Sequence, residues 1–167
     1  LDTAMRDAVR LPAGAYIESS PVQRERAARR LILSDLLPEA LERGEFSLVY
    51  QPIVASDSCE IEGVEVLSRW ESAEVGSVSP AEFVPLVEDL GLMVPFTEQL
   101  LGRIESDIAE VFRKSAVSVS VNLSPLHLED RQALPRLLTI LDELDSIGAP
   151  VMLELTEGVL MSHNRSE

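Results

Sequence analysis

Three side chains that can bind a hard cation lie near the predicted ends of separate strands. Glu65 lies in EVLSRW, Asn122 in SVSVNLS and Glu154 in VMLELTE, each about where a strand stops and a helix begins. Carboxylate and amide oxygens are the ligands that Mg²⁺ and Mn²⁺ prefer. Because α/β barrels keep their chemistry at the carboxyl ends of their strands, the pattern predicts a divalent-metal site at that end of one sheet.

The composition is typical of a globular α/β domain with an acidic excess. The 167 residues are 46% hydrophobic and 26% charged, and the net charge is −15. This charge argues against a nucleic-acid polymer as partner, since a phosphate backbone requires a basic face, although a bound metal can reverse the local field for a small anion. A single cysteine, Cys59, excludes an internal disulfide and indicates a reducing cytoplasm, whether or not the full-length protein is membrane-attached.

The charge is unevenly distributed along the chain. Residues 1–30 contain six Arg and four acidic residues, for a net charge of +2, so the remaining 137 residues carry −17. We therefore predict a helical connector over residues 1–36 and a separate domain over residues 37–167. Because the chain begins at Leu1 without Met, we expect it to be a piece of a longer protein.

The apolar pattern predicts the order helix, then β-β-α-β-α-β. A helix should begin at Pro21, restart at Pro38 and stop near Gly44. ESAEVGSVS is predicted to be a loop, and the predicted strands are FSLVYQPIV, IEGVEVLSRW, VSVSVNLSP and PVMLELTE. Strands separated by helices imply parallel neighbours joined by right-handed crossovers.

The alternation within the strands predicts one helix-covered face and one polar face. A parallel strand that is covered on both faces is normally hydrophobic throughout. Here small polar residues and Asn122 alternate with aliphatic residues along the third strand, and Glu65, Leu67 and Arg69 share one face of the second. Glu154 shares a face of the fourth strand with Met152 and Thr156. The polar face should therefore line a narrow space, as the inside of a barrel does.

At these residues the chain resembles the EAL-domain family, which is named for a Glu-Ala-Leu motif. The resemblance covers about Ala40 to Met161 and includes ALERGEF, YQPIV, GVEVLSRW, SPAEFVPLVEDLGL, SVNLS and LELTEGVLM in the family's order. The motif itself reads Glu65-Val66-Leu67, with Val at the position that should point away from the site. The resemblance implies a TIM-barrel-like (β/α) fold, of which this chain supplies the first half with about four strands.

The resemblance also implies an activity, the hydrolysis of cyclic di-GMP to the linear dinucleotide with two Mg²⁺ or Mn²⁺ ions. Two ions ~3.5–4 Å apart suit in-line attack, because one activates water while both neutralise developing charge. By resemblance, the metal ligands are Glu65, Asn122 and Glu154, the catalytic carboxylates are Glu65 and Glu157, and the substrate-binding residues are Gln51, Leu67 and Arg69.

The implied partners are cyclic di-GMP, a second copy of the domain in a homodimer, and an upstream sensor or GGDEF-like domain. The family's later Asp-Asp pair followed by Phe-Gly, and the Lys and Glu beyond it, are absent from these 167 residues. We therefore expect the chain alone not to turn over substrate. The alternatives are a degenerate receptor that binds cyclic di-GMP without cutting it, and a platform for an upstream domain.

Two further residues have simpler interpretations. His127 follows the third strand and is predicted to lie in a solvated loop. Arg69 has an alternative to phosphate binding, which is an ion pair with Glu71 or Glu74.

Overall fold

The computed structural model describes residues 20–112, 117–124, 126–146 and 150–155. Within these ranges no helix is long and apolar enough to cross a membrane. The same ranges contain five helices and five strands, in the order α1 (Pro21–Arg43), β1 (Phe46–Val54), β2 (Ile61–Ser72), β3 (Gly76–Val78), α2 (Pro80–Asp89), α3 (Met93–Phe112), β4 (Ser118–Leu123), α4 (Leu126–Glu129), α5 (Ala133–Ser146) and β5 (Val151–Leu155).

The strands form one sheet in the order β1-β2-β4-β5, with β3 paired to β2. β2, β4 and β5 are mutually parallel, which confirms the parallel neighbours predicted for strands separated by helices. β1 is antiparallel to β2, because the segment between them is far too short for a crossover. This pair differs from a standard TIM barrel, in which all eight strands are parallel.

β3 was not predicted, since its residues were assigned to a loop. Gly76 has φ +73°, which lets the chain fold back so that Val78 pairs with Trp70. Trp70 also pairs with Phe46 of β1, so β3 must lie along the opposite edge of β2. β4 pairs with the same edge nearer the start of β2, at Gly63 to Val66. Three residues are too few to show the alternation that identifies a strand in a sequence.

α1 begins with a capping box in which Ser20 and Gln23 satisfy each other's backbone, and Pro21 occupies its first turn. The restart predicted at Pro38 is wrong, because α1 runs through that proline to Arg43. Leu37 and Ala40 are buried on either side of it, so core packing offsets the missing hydrogen bond. The predicted boundary between residues 36 and 37 falls inside this helix and stays a prediction. Residues 1–19, including most of the predicted connector, lie outside the described residues.

The helix that follows β3 is α2, which begins at Pro80. It ends at Asp89, Gly91 takes φ +68°, and α3 then begins at Met93. The positive φ of Gly91 turns the chain so that the two helices can pack separately on the sheet. Their junction lies beside the strand ends that carry the candidate site.

The core lies between the helices and one face of the sheet. Its first cluster is aromatic, with ring centroids 5.1–6.0 Å apart among Phe46, Trp70, Phe83 and Phe96. The second cluster is aliphatic and joins β2 and β4 to α3 and α5 through Val66, Leu101, Ile104, Val119, Val121, Leu123, Leu137 and Leu144. These residues include the aliphatic half of the predicted alternation in β4, which leaves the polar half on the opposite face.

Candidate metal and substrate site

Four residues predicted to form the site lie on the polar face of four neighbouring strands. Gln51 of β1 pairs directly with Glu65 of β2, and Asn122 of β4 pairs directly with Glu154 of β5. Glu65 is level with Ser120 in the parallel ladder between β2 and β4, so Asn122 lies one step further along the same face. Residues distant in sequence therefore meet on one surface of the sheet.

A hydrogen bond joins the first two predicted metal ligands. The side-chain nitrogen Nδ2 of Asn122 donates to Oε1 of Glu65 at 3.0 Å. Because the amide nitrogen is used in this way, the amide oxygen is the atom that Asn122 has left for a cation. Glu154 occupies the neighbouring position of the ladder, so its carboxyl group extends from the same face.

This donor set fits a hard divalent cation. Two carboxylates and one amide oxygen are the oxygen ligands that Mg²⁺ and Mn²⁺ use, and they carry enough negative charge to attract either ion. Among the described residues, no group of three or more His, Cys, Asp or Glu side chains converges. Glu65, Asn122 and Glu154 are therefore candidate ligands, and the described residues form no closed cage around them. Glu157 lies outside the described residues, as do Thr156 and His163.

The expected position at a strand end holds for Asn122, which is the penultimate residue of β4. Glu154 lies in β5, and the described residues end at Leu155, so its distance from the strand end stays a prediction. For Glu65 the expectation is wrong, because β2 continues to Ser72. The ladder between β2 and β4 stops at Val66, however, and the rest of β2 pairs only with β1 and β3. Glu65 is therefore near the end of the parallel ladder although it is in the middle of its strand.

Arg69 lies further along β2 on the same face as Glu65 and Leu67. Its guanidinium nitrogen Nη1 donates to the carbonyl oxygen of Ser68 at 2.9 Å, and the side chain is half-buried. Within the described part of the chain, no ion pair joins it to Glu71 or Glu74, the partners considered from the sequence.

A cavity of about 380 Å³ opens where β4 ends, between β2 and helices α2 and α3. Its polar lining includes Arg69, Asn122, Ser124 and Glu88, and most of the remaining wall is apolar. An apolar cleft with a few convergent polar groups is the usual form of a small-molecule site. The lining role of Glu88 was missed, although it follows Pro80 and Val84 at helical spacing.

The polar face is open to solvent over most of its area. Gln51, Asn122 and Glu154 are exposed and Glu65 is half-buried. Apolar residues on this face are also exposed, with Val49 40%, Ile53 41% and Met152 56% accessible. A face that mixes exposed aliphatic residues with candidate cation ligands differs from an ordinary solvated surface, on which exposed aliphatic residues are scattered singly.

His127 differs most from its predicted environment. The expected solvated position is wrong, because His127 lies in α4 with an exposed fraction of 1%. Its ring nitrogen Nδ1 lies 2.9 Å from the carbonyl oxygen of Ser124, a cavity residue. The available sequence signal was Ser124 followed by two leucines around the histidine, which indicates a capped helical turn with an apolar face.

The chain belongs to the EAL domain family, whose sequence profile matches residues 34–167. It is 30% identical over 165 residues to the cyclic di-GMP phosphodiesterase PdeR of Escherichia coli (strain K12), a match that covers 98% of this chain and 25% of PdeR. It is 30% identical over 148 residues to the oxygen sensor protein DosP of the same organism, covering 87% of this chain and 18% of DosP.

A solved structure agrees with these sequence matches. The PaMucR phosphodiesterase in complex with c-di-GMP superposes with a TM-score of 0.67 at 30% identity, over 78% of this chain and 53% of that one. The predicted family and the TIM-barrel-like α/β fold are thereby confirmed, with a partial sheet of five strands among the described residues. The chain spans a quarter or less of the lengths of PdeR and DosP and about half of the solved domain.

Proposed function

We propose that this chain supplies one half of the active face of a phosphodiesterase that uses Mg²⁺ or Mn²⁺ to hydrolyse cyclic di-GMP to the linear dinucleotide. The observation that carries the proposal is the contact between Glu65 and Asn122, with Glu154 next to Asn122 in the ladder. The names of PdeR and of the PaMucR complex supply the substrate class.

Each ligand has a distinct task in this proposal. Glu65 and Glu154 provide the negative charge that attracts the cations, and the hydrogen bond from Asn122 fixes the orientation of the Glu65 carboxylate before any cation arrives. The oxygen of Asn122 is the third donor. Divalent ions held by Glu65, Asn122 and Glu154 would activate water at neutral pH and would neutralise the charge that develops on the phosphate. We propose Glu157 as the carboxylate that supports this site.

The substrate would be held by residues beside the cation ligands. Arg69 presents a planar guanidinium group, which can donate two parallel hydrogen bonds to a phosphate. Its hydrogen bond to Ser68 holds the group at the cavity wall. Gln51 and Leu67 flank Glu65 on the polar face of the sheet. In this proposal they contact the part of cyclic di-GMP that lies over this face.

Two further parts of the proposal concern the whole protein. The described ligands are too few for two ions, so we propose that these 167 residues alone release no product and that the remaining ligands belong to the second half of the barrel. We further propose a homodimer through EAL domains and an upstream regulatory domain. The small share of PdeR and DosP that the chain covers supports the latter.

The test is an assay of the full-length protein that contains this chain, with Mg²⁺ or Mn²⁺, for linear dinucleotide. Glu65→Ala should abolish turnover and weaken Mn²⁺ binding. Glu62→Ala is the matched control, because Glu62 is an exposed carboxylate in the same strand, on the opposite face by alternation. An inert wild type, together with unchanged metal binding in Glu65→Ala, would reject the proposal. Nucleotide binding without product would favour the receptor alternative.

A further inference from the structure

Asn122 lies where β4 loses its support from β2. The ladder between the two strands ends at Val66 and Val121, one residue before Asn122. Beyond that point the cavity borders β4 on this side, and only β5 still pairs with it. The direction of the Asn122 side chain therefore depends on how the chain is held immediately after β4.

Ser124 is the residue that fixes the backbone immediately after β4. Its hydroxyl oxygen accepts a hydrogen bond from the backbone nitrogen of Leu126 at 3.4 Å, and its carbonyl oxygen accepts one from the backbone nitrogen of His127 at 3.1 Å. The same carbonyl oxygen lies 2.9 Å from Nδ1 of the His127 ring. Two groups of His127 thus converge on one carbonyl, two residues beyond Asn122.

The chemistry of this contact defines the tautomer of the ring. A carbonyl oxygen can only accept, so Nδ1 of His127 must carry the proton. In a neutral ring, Nε2 is then an acceptor. Nε2 is buried, and no described residue donates a hydrogen bond to it. A buried polar atom with no protein donor costs stability, and a leucine would fill the same space without that cost. Packing alone is therefore a poor explanation for a histidine here.

We propose that His127 is a positioning residue for Asn122. Its ring ties the carbonyl of Ser124 to the start of α4, and this fixes the end of β4 so that the amide of Asn122 faces Glu65. The positioning is argued from the hydrogen bonds between His127 and Ser124, whereas its consequence for cation binding rests on the proposed function. Residues that orient metal ligands typically change metal affinity about 10–100-fold when they are lost.

The first experiment reads the position of Asn122 without metal and without activity. The sequence contains two asparagines, Asn122 and Asn164, so ¹⁵N-asparagine labelling of the 167-residue protein gives two side-chain amide groups, and Asn122→Ala assigns them. In His127→Leu the Asn122 amide should move to the shifts of a free asparagine. In His127→Asn, whose amide nitrogen replaces Nδ1–H and adds a third labelled amide, the Asn122 amide should stay near its wild-type position.

The second experiment measures Mn²⁺ affinity of the full-length protein by calorimetry. His127→Leu should weaken Mn²⁺ binding about 10–100-fold. His127→Asn should bind Mn²⁺ with most of the wild-type affinity. Equal weakening by both variants, or an unchanged Asn122 amide in His127→Leu, would overturn the inference. If the wild type binds no Mn²⁺, the proposed function fails, while the amide signals still decide the role of His127.

A third measurement, of which ring nitrogen of His127 carries the proton, uses the wild-type protein and therefore tests the inference even if His127→Leu does not fold. The sequence contains two histidines, so ¹⁵N-histidine labelling of the wild-type protein gives two ring systems, and His163→Gln assigns them. The His127 ring should carry its proton on Nδ1 at neutral pH. Protonation on Nε2 instead would remove the hydrogen bond to Ser124 and end the argument.

Discussion

The side-chain nitrogen of Asn122 lies 3.0 Å from Oε1 of Glu65, although 57 residues separate the two in sequence. The contact runs diagonally across the parallel strands β2 and β4, since Glu65 is level with Ser120. A hydrogen bond to a charged group at a solvent-exposed position adds little to stability, on the order of 1 kcal/mol. Its main effect is to orient the Glu65 carboxylate and to leave the Asn122 oxygen free to bind a cation.

The first prediction is that cation binding stabilises the protein through Glu65. A cation that binds only the folded state adds about 2.7 kcal/mol to the free energy of unfolding at a concentration of 100 Kd. The melting temperature of the full-length wild type should therefore rise with Mn²⁺, whereas Glu65→Gln, which keeps the shape and removes the charge, should lose most of this rise. Differential scanning calorimetry with and without Mn²⁺ measures both.

Glu62→Gln is the control for this experiment, because it removes the same charge from the same strand on the opposite face. It should retain the full Mn²⁺-dependent rise. An identical rise in Glu65→Gln and Glu62→Gln would mean that the cation binds elsewhere.

The sequence was sufficient where the structure depends on local periodicity. Alternation of period two in β4 correctly separated the face that carries Asn122 from the face that carries Val119 and Val121. The segments between strands indicated which neighbours are parallel, because a crossover needs many residues and a hairpin few. These features depend on neighbours in sequence, so one chain suffices to predict them.

The sequence was insufficient where tertiary packing decides. α1 continues through Pro38 because buried residues on both sides of the proline hold the helix in place. β3 forms because the edge of β2 opposite β1 is available for pairing at Trp70. His127 has an exposed fraction of 1%, and the capped turn indicated by Ser124 and the two flanking leucines does not by itself fix how deeply that turn is packed. The hydrogen bond between Glu65 and Asn122 required the register of two strands, which alternation alone leaves undetermined.

A second prediction concerns the close approach of β2 and β4 at Gly63. A Cβ atom at this position would lie 2.8 Å from Oγ of Ser118 and 3.3 Å from its carbonyl oxygen. Gly63→Ala should therefore lower the free energy of unfolding by about 1–3 kcal/mol. Ser118→Ala in the same chain should restore part of the loss, since it removes the nearer atom. Urea denaturation measures each value.

Gly102 provides the control for Gly63. It lies inside α3, and a Cβ atom there would meet nothing within 4 Å. Gly102→Ala should raise the free energy of unfolding by about 1 kcal/mol through helix propensity. If Gly63→Ala stabilised the protein as Gly102→Ala does, the strands would be further apart than the structure indicates.

A third prediction concerns the pH dependence of the pair between α1 and α2. A hydrogen bond from Arg29 is the main cause that lowers the pKa of Glu82 below its usual 4.5. A carboxyl group whose pKa is lowered by folding stabilises the protein above its unfolded pKa, and the effect disappears as the pH falls through the folded pKa. The melting temperature of wild type should thus exceed that of Glu82→Gln at pH 6, and the two should converge as the pH falls through the lowered pKa of Glu82.

The substitution isolates the charge, because glutamine can keep the capping box that Glu82 forms with Ser79. The pair is largely exposed, so the difference at pH 6 should be small and should shrink further in 1 M salt. A difference that grows as the pH falls would contradict the assigned sign.

The last prediction concerns Arg69 as the residue that binds a substrate phosphate. Arg69→Lys keeps the charge but loses the planar fork, so KM for cyclic di-GMP should rise about tenfold in the full-length protein, and Arg69→Ala should raise it further. The Mn²⁺-dependent rise in melting temperature should stay unchanged, because Arg69 binds no cation. Arg103→Lys is the control, since Arg103 also donates to a backbone carbonyl, that of Gly44, but belongs to α3 outside the cavity lining. An Arg69→Lys variant with the KM of Arg103→Lys would remove Arg69 from the substrate site.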